Sequence, residues 1–337
     1  MAATVEFITS STSSQSCTTW SMAFPNLVEP RETPTMDEAK ARIDELYESG
    51  VPFFSKSTIR EIWDQFKAQP AAGDKIIFKD LTGATLECEV KLGKSQMMRS
   101  GDQKMEHVYL FPLGLTHRLY HVDSSTETKE IVPDDDVGER EVVAQDFQEK
   151  KQAWEESETC KNFRSILSSF ASGHEINKIV GLACGSLSLP NNKHAAYQHA
   201  LLLTVRDWLK EQDQTQEVAC YIQDPMNTSV DREMLADVGF EVIDDPRGWL
   251  EVDEQSVVLS ISPNVPVKEI IADIARPAVV IWDRVESEDK ANSTDPDSPR
   301  VRKMVEGYDL HELGPDGEPF SDAVIYIRKS AVAPALN

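Results

Sequence analysis

From Lys178 to Trp282 the sequence alternates short apolar runs with segments of helical periodicity, and this alternation leaves few architectures open. KIVGLAC, EVACYIQ, FEVI, SVVLSI and AVVIW are the apolar runs, and HAAYQHALLLTVRDWLKEQ, DREMLADVG and VKEIIADIA lie among them. Strands this continuously apolar need cover on both faces, and intervening helices supply it, so the pattern predicts a parallel sheet between two helical layers. Right-handed crossovers then give an α/β fold, a Rossmann-like, doubly wound, mostly parallel sheet. No charge falls between Ile179 and Asn191, which suits a central strand and not an edge, so KIVGLAC is expected beside EVACYIQ and SVVLSI. AVIYIRK adds a further strand, and the polar stretch from Glu286 to Arg300 reads as a mobile loop.

The remaining chain divides by composition. Residues 1–34 are rich in Ser and Thr without periodicity and read as a disordered N-terminus. Residues 35–122 read as a small α+β extension. In it Ala39, Ile43, Leu46 and Tyr47 mark a helix that stops at Gly50, and Ser57 caps a second helix carrying Ile59, Ile62, Trp63 and Phe66. KIIFKDLTGATLECEVKL then forms two strands around Thr82-Gly83, and HVYLFPLG and THRLYHV continue the apolar style. Residues 123–159 hold 13 acids against 4 bases, so 123–153 are expected to be an acidic, partly disordered connector. From Trp154 the helical signal returns, with Phe163, Ile166, Leu167 and Phe170 on one face. Residues 154–330 are read as the Rossmann-like domain.

A net charge of −24, from 58 acids and 34 bases, opposes bulk binding to nucleic acid, which relies on Lys and Arg displacing counterions. No apolar run approaches the ~20 residues needed to span a bilayer. The first thirty residues hold no Lys or Arg with which to begin a targeting peptide. The expectation is a cytoplasmic protein, also nuclear, with no membrane association. The five cysteines include no C-x-x-C pair, and reduced thiols follow, with Cys184 and Cys220 as small apolar fillers. His117 and His121 sit in a strand-like context, so no metal site is predicted.

In doubly wound sheets ligands bind beyond the carboxyl ends of the strands, where the strand order reverses. Gly181, Gly185 and Ser186 follow the first strand, Asp224-Pro225 the second, and Ser262-Pro263-Asn264 the fourth. The glycines permit close backbone approach, and a carboxylate at the end of the second strand is where ribose hydroxyls are held. With Gln198 on the following helix, these are the candidate cofactor-binding residues: Gly181, Gly185, Ser186, Gln198, Asp224, Ser262, Pro263 and Asn264. The spacing lacks G-x-G-x-x-G, and Pro190 intervenes before the helix, so a pyrophosphate cradle is hard to assemble. The alternative reading has Gly181 and Gly185 serving packing and Asp224 capping a turn.

The run GSLS at 185–188, Ala196 and Gln198, Asp224-Pro225, the Asp231, Leu235, Gly239 pattern and the proline turn after SVVLSI together resemble the sensitivity-to-red-light-reduced domain family, in a fungal-type member. The resemblance covers roughly residues 154–285. It implies a regulatory role, since members are linked to light and circadian signalling, microtubule stability and haem metabolism, and it supplies no agreed activity. Two positions depart from the family pattern: Ala183 stands where members usually carry glycine, and Asn264 where they usually carry histidine. Two function classes follow. One is a regulatory or interaction protein on a Rossmann-like scaffold with unidentified protein partners. The other is an enzyme for a small nucleotide-like ligand, most concretely an S-adenosylmethionine-dependent methyltransferase. The sequence names no cofactor and no catalytic residue.

Overall fold

The computed structural model describes residues 6–9, 18–22, 26–27, 36–68, 74–79, 83, 85–92, 120–122, 129–131, 137–170, 174–189, 193–212, 217–224, 226–287, 294–314 and 318–329. HVYLFPLG, Thr82, Gly173, Pro190 and Pro225 lie outside them. The chain forms two compact units, Met1–Asp135 with Asp244–Leu250, and Asp136–Ile243 with Glu251–Asn337.

In the first unit, β1 (Glu6–Thr9), β2 (Thr18–Met22) and β3 (Asn26–Leu27) precede helices α1 (Met36–Glu48) and α2 (Lys56–Lys67). Strands β4 (Lys75–Lys79), β5 (Thr85–Leu92), β6 (Tyr120–Val122) and β7 (Lys129–Ile131) follow. Within the first 34 residues, read from sequence as a disordered N-terminus, the described segments β2 and β3 pair antiparallel with β5 and β1 pairs with β2, and the rest lies outside the described residues. EFIT and TTWSM are rich in β-branched and aromatic residues, which suit a pleated surface. Helix α1 runs out before Gly50, whose φ of 77° needs a residue without Cβ. The cap of α2 is Ser55, two residues before the expected Ser57, and its side chain accepts from Thr58 N at 3.1 Å. Ile59, Ile62 and Phe66 form the buried face of α2. Strand β4 alternates, with Ile76 and Phe78 inward and Ile77 outward. The Gln65 amide reaches the outer side of that strand: Nε2 donates to Ile77 O at 2.7 Å and Oε1 accepts from Ile77 N at 2.8 Å.

The second unit begins with α3 (Arg140–Glu156) and α4 (Glu158–Phe170). The expected connector is therefore helical from Arg140, fourteen residues before Trp154. Val143, Phe147 and Trp154 are buried along one side of α3 while its acids and lysines pair with each other outside. A thin apolar stripe among many charges was enough to seat the helix. Next come β8 (Lys178–Leu182), α5 (Lys193–Gln212), β9 (Ala219–Gln223), α6 (Ser229–Asp237) and β10 (Glu241–Val242). They are followed by α7 (Arg247–Glu251), which as far as Leu250 belongs to the first unit, and then by β11 (Ser256–Ser260), α8 (Val267–Ile274) and β12 (Val279–Asp283). The chain closes with α9 (Pro299–Val305), β13 (Tyr308–Glu312) and β14 (Ala323–Arg328).

The sheet order is β10-β9-β8-β11-β12-β14-β13. Neighbours from β10 to β12 are parallel, and β14 runs antiparallel to both β12 and β13. The doubly wound, Rossmann-like expectation holds, and KIVGL is central between ACYIQ and SVVLS. The order reverses between β8 and β11, which sets the crevice outside their carboxyl ends. One face of the sheet carries Ile179, Val257, Leu259, Ile281 and Ile325 into a core shared with Leu201, Leu202 and Val205 of α5. Trp154 of α3 joins that core and donates from Nε1 to Thr204 Oγ1 at 2.8 Å. Strand alternation turns Val258, Ser260, Val280 and Trp282 to the other face, where a right-handed crossover places α8.

Candidate functional site

Shortly beyond the ends of β8 and β11 the chain passes through a residue that resists the conformation it adopts. Ala183 has φ 54° and Ser262 φ 49°, a left-handed geometry that costs a non-glycine residue roughly 1–2 kcal/mol. Gly185 follows at φ 76° without that cost. The backbone thus turns sharply away from the sheet on both sides of the switch point.

The turn after β8 is organised by two carboxylates. Gly185 N donates to Asp224 Oδ2 at 2.6 Å, and Met226 N donates to Asp224 Oδ1 at 2.8 Å, so Asp224 ties the end of β8 to its own turn after β9. Asp231, in the first turn of α6, is wholly buried and accepts from five donors. They are the Ser186 hydroxyl at 2.6 Å, Leu187 N at 2.8 Å, Ser188 N at 3.0 Å, the Ser188 hydroxyl at 3.1 Å and Thr228 N at 2.7 Å. The last bond, with Asp231 N on Thr228 Oγ1, closes a capping box. Leu189 N donates to Ser186 Oγ at 3.1 Å. A buried charge is tolerated when surrounded by donors in this way. Among the expected residues Asp231 figured only in a family pattern, yet Thr228-Ser-Val-Asp231 carries a readable cap signature.

The other expected residues divide. Gly181 faces the core: a Cβ there would stand 2.7 Å from Ile222 Cδ1 and 2.8 Å from Leu202 Cδ1, which requires close packing and places it under α5. Gln198 is buried on α5, and its Oε1 has no partner among the described residues. Ser262 and Asn264 are exposed and Pro263 is buried, in a turn with its own network. Ser262 N donates to Asp283 Oδ2 at 2.7 Å and Thr294 Oγ1 donates to Pro263 O at 2.8 Å. Gly185, Ser186 and Asp224 are thus drawn together by hydrogen bonds through Asp224 and Asp231, and the Ser262 turn stands at the end of the neighbouring strand with a different set of partners.

Residues 288–293 of the stretch expected as a mobile loop lie outside the described residues, and its described part from Thr294 to Arg300 holds buried charge. Asp295 Oδ1 accepts from Lys268 N at 2.9 Å, the Lys268 ammonium pairs with Asp297, and Glu286 N donates to Asp297 Oδ2 at 3.1 Å. Ser298 caps α9, which begins at Pro299, and also bonds Glu269. Arg300 reaches Asp273 at 2.9 Å. Burial pushes the Asp295 carboxyl up to about 7, opposed by Lys268 and reinforced by Asp283 and Asp297. The sequence signal for this strap was Ser298-Pro299 before an amphipathic turn.

Cys184 is buried beneath the turn, and burial, then the nearby Asp224 charge, holds its thiol well above the usual range, which opposes a nucleophilic role. His194 is exposed and its Nδ1 lies 3.2 Å from Pro319 O. His199 is buried on α5, where burial lowers it to about 4. No group of three or more His, Cys, Asp or Glu able to hold a metal occurs among the described residues. No helix among them is long and apolar enough to cross a membrane. The family model described as the SRR1 domain matches residues 145–327, more than half of the chain. No curated protein matches it.

Proposed function

We propose that this chain, which belongs to the SRR1 domain family, is a regulatory or interaction protein whose Rossmann-like sheet is a rigid platform for protein partners, acting in the cytoplasm and nucleus. The observation that carries the reading is the closed turn after β8. A phosphate cradle needs free backbone amides aimed at one anion. Here the amides of Gly185, Leu187, Ser188 and Leu189 already donate to Asp224, Asp231 and Ser186. Two of these acceptors are carboxylates, and their charge repels the phosphate that would replace them. NAD or ATP at millimolar concentration is expected to leave the melting temperature unchanged, whereas a ligand at a hundred times its Kd stabilises by about 2.7 kcal/mol. A saturable rise with either nucleotide sinks the reading.

A methyltransferase-like enzyme is favoured by one observation, the strand order. Numbered from β8, the sheet reads 3-2-1-4-5-7-6 with only the seventh strand antiparallel, an order shared with Rossmann-like methyltransferases. This is fold analogy, which does not by itself imply chemistry. The turn Ser262-Pro263-Asn264 lacks the second proline and aromatic of the amino-group enzymes, and both oxygens of Asp224 already accept backbone amides. Release of S-adenosylhomocysteine from S-adenosylmethionine in the presence of candidate acceptors separates the two readings. A platform protein gives no turnover.

A further inference from the structure

The seven-stranded sheet has two outer strands, and they differ. Strand β10 has two residues, whereas β13 has five and lies beside β14 alone among the described residues. Two backbone bonds fix which way the amides of β13 point. Arg328 N donates to Ala278 O on the inner side of β14, and Lys329 N donates to Gly307 O on its outer side, both at 2.9 Å. Antiparallel pairs alternate in this way, so Asp309 and His311 turn their backbone groups to β14, opposite Ile327 and Ile325. Tyr308, Leu310 and Glu312 turn theirs away from the sheet. The Leu310 side chain at the middle is 42% exposed. Asn162 Nδ2 donates to Glu312 O and to Leu313 O, 3.0 Å each, and ends the open stretch there. An edge with outward amides and an exposed apolar centre is a template for another strand.

We infer that β13 pairs antiparallel with β13 of a second copy of this chain, about a two-fold axis at Leu310. The run Tyr308-Asp309-Leu310-His311-Glu312 complements itself in that register. Leu310 meets Leu310 and exchanges both backbone bonds with it, and Asp309 meets His311 on each side of the axis. These two pairs fall at non-hydrogen-bonded positions, where opposed side chains stand closest, so a ring N–H donates to the carboxylate. The adjacent registers are worse. An axis at Asp309 sets carboxylate against carboxylate, and an axis at His311 forfeits both carboxylate–imidazole bonds. Asp309 is exposed and His311 half-buried, so both can meet a neighbour. The Glu312 carboxylate is committed to Arg284 at 2.6 Å and the Tyr308 hydroxyl to Pro277 O at 2.8 Å, which leaves the three central residues to choose the partner. Such a contact is isologous and closes as a dimer. Five residues a side make a small interface, and a charge of −24 on each copy opposes it, so the dimer is weak and promoted by salt. This goes beyond the platform reading and does not depend on it.

The test is sedimentation velocity of the full chain from about 1 μM to about 0.5 mM at about 0.3 M salt, where repulsion between copies is screened. It is repeated on Asp309→His, on His311→Asp and on the double variant carrying both changes. Wild type is expected to pass from monomer to dimer across that range. Each single change sets like side chains opposite each other twice, so dimerisation should weaken by about tenfold or more. The double variant exchanges the two groups and keeps composition and net charge, and it should return to within about threefold of wild type. An equimolar mixture of the two single variants should also recover, because each supplies what the other lacks. An effect confined to the monomer predicts neither recovery. The inference is overturned if wild type stays monomeric at the highest concentration, if the single variants dimerise like wild type, or if the double variant and the mixture associate as weakly as the single variants.

Discussion

Asp231 shows how much a single side chain decides. Its two oxygens accept from two hydroxyls and three amides, so Asp231→Asn puts an NH2 group where one set of donors already points. The expected loss is about 2–4 kcal/mol, above the range of an ordinary hydrogen bond, because a buried network is left half satisfied. A urea unfolding midpoint that hardly moves would contradict this. Asp224→Asn removes fewer bonds and should cost about 1 kcal/mol. The sequence showed that Gly185, Ser186 and Asp224 belong at one end of the sheet. It did not show that their partners lie within the chain, since a Gly-Ser turn after an apolar strand reads alike whether its acceptor is a ligand or a carboxylate 45 residues further on. Gly181 was read two ways, as a cleft residue and as a packing residue, because the need for a missing Cβ looks the same in a core as in a binding cleft, and its neighbours Ile222 and Leu202 are core residues.

Among the elements, the strap from Thr294 to Arg300 has the clearest dependence on conditions. Asp295 is held near 7 in the fold, above the value of a free carboxyl near 4, so the folded state binds more protons than the unfolded state between those values. Stability from this group is present below about 4 and is lost as pH rises through about 7, by at most ~1.4 kcal/mol per pH unit. Asp295→Asn is expected to lose less stability than wild type between pH 5 and pH 8, read from unfolding midpoints at both. His199 acts in the opposite sense: burial lowers it to about 4, so its contribution is present above its usual 6.5 and is lost as pH falls toward 4. The comparison between wild type and variant cancels that common background. Equal pH slopes for the two proteins would refute the account. Helix α3 and strand β13 were hidden in the sequence for physical reasons. The first buries only a narrow stripe among exposed charges, and YDLHE alternates weakly because it is an edge strand with Leu310 turned outward.

At the scale of the whole molecule, the legible part was the part with the least choice. Strands that are apolar on both faces admit one layering, and β8, β9, β11 and β12 lie where that layering requires. The antiparallel β13–β14 pair was less legible because a chain returning along an edge satisfies the same core with either direction. The charge of −24 keeps copies of the molecule apart, but repulsion spread over a surface is a weak guard against pairing at a single strand. In the first unit that guard is one amide. Gln65 occupies both backbone groups of Ile77, and the Ile77 side chain beside it is 48% exposed. Open hydrogen-bonding positions next to exposed isoleucine are what an incoming strand seeks. Gln65→Ala should therefore leave the monomer's stability within about 1 kcal/mol while producing concentration-dependent self-association in sedimentation velocity at moderate salt. An unchanged sedimentation coefficient over a hundredfold concentration range would contradict it. The same amide gives the fold a solubility device, since two hydrogen bonds inside one chain make a sticky strand unavailable to every other copy in the cell.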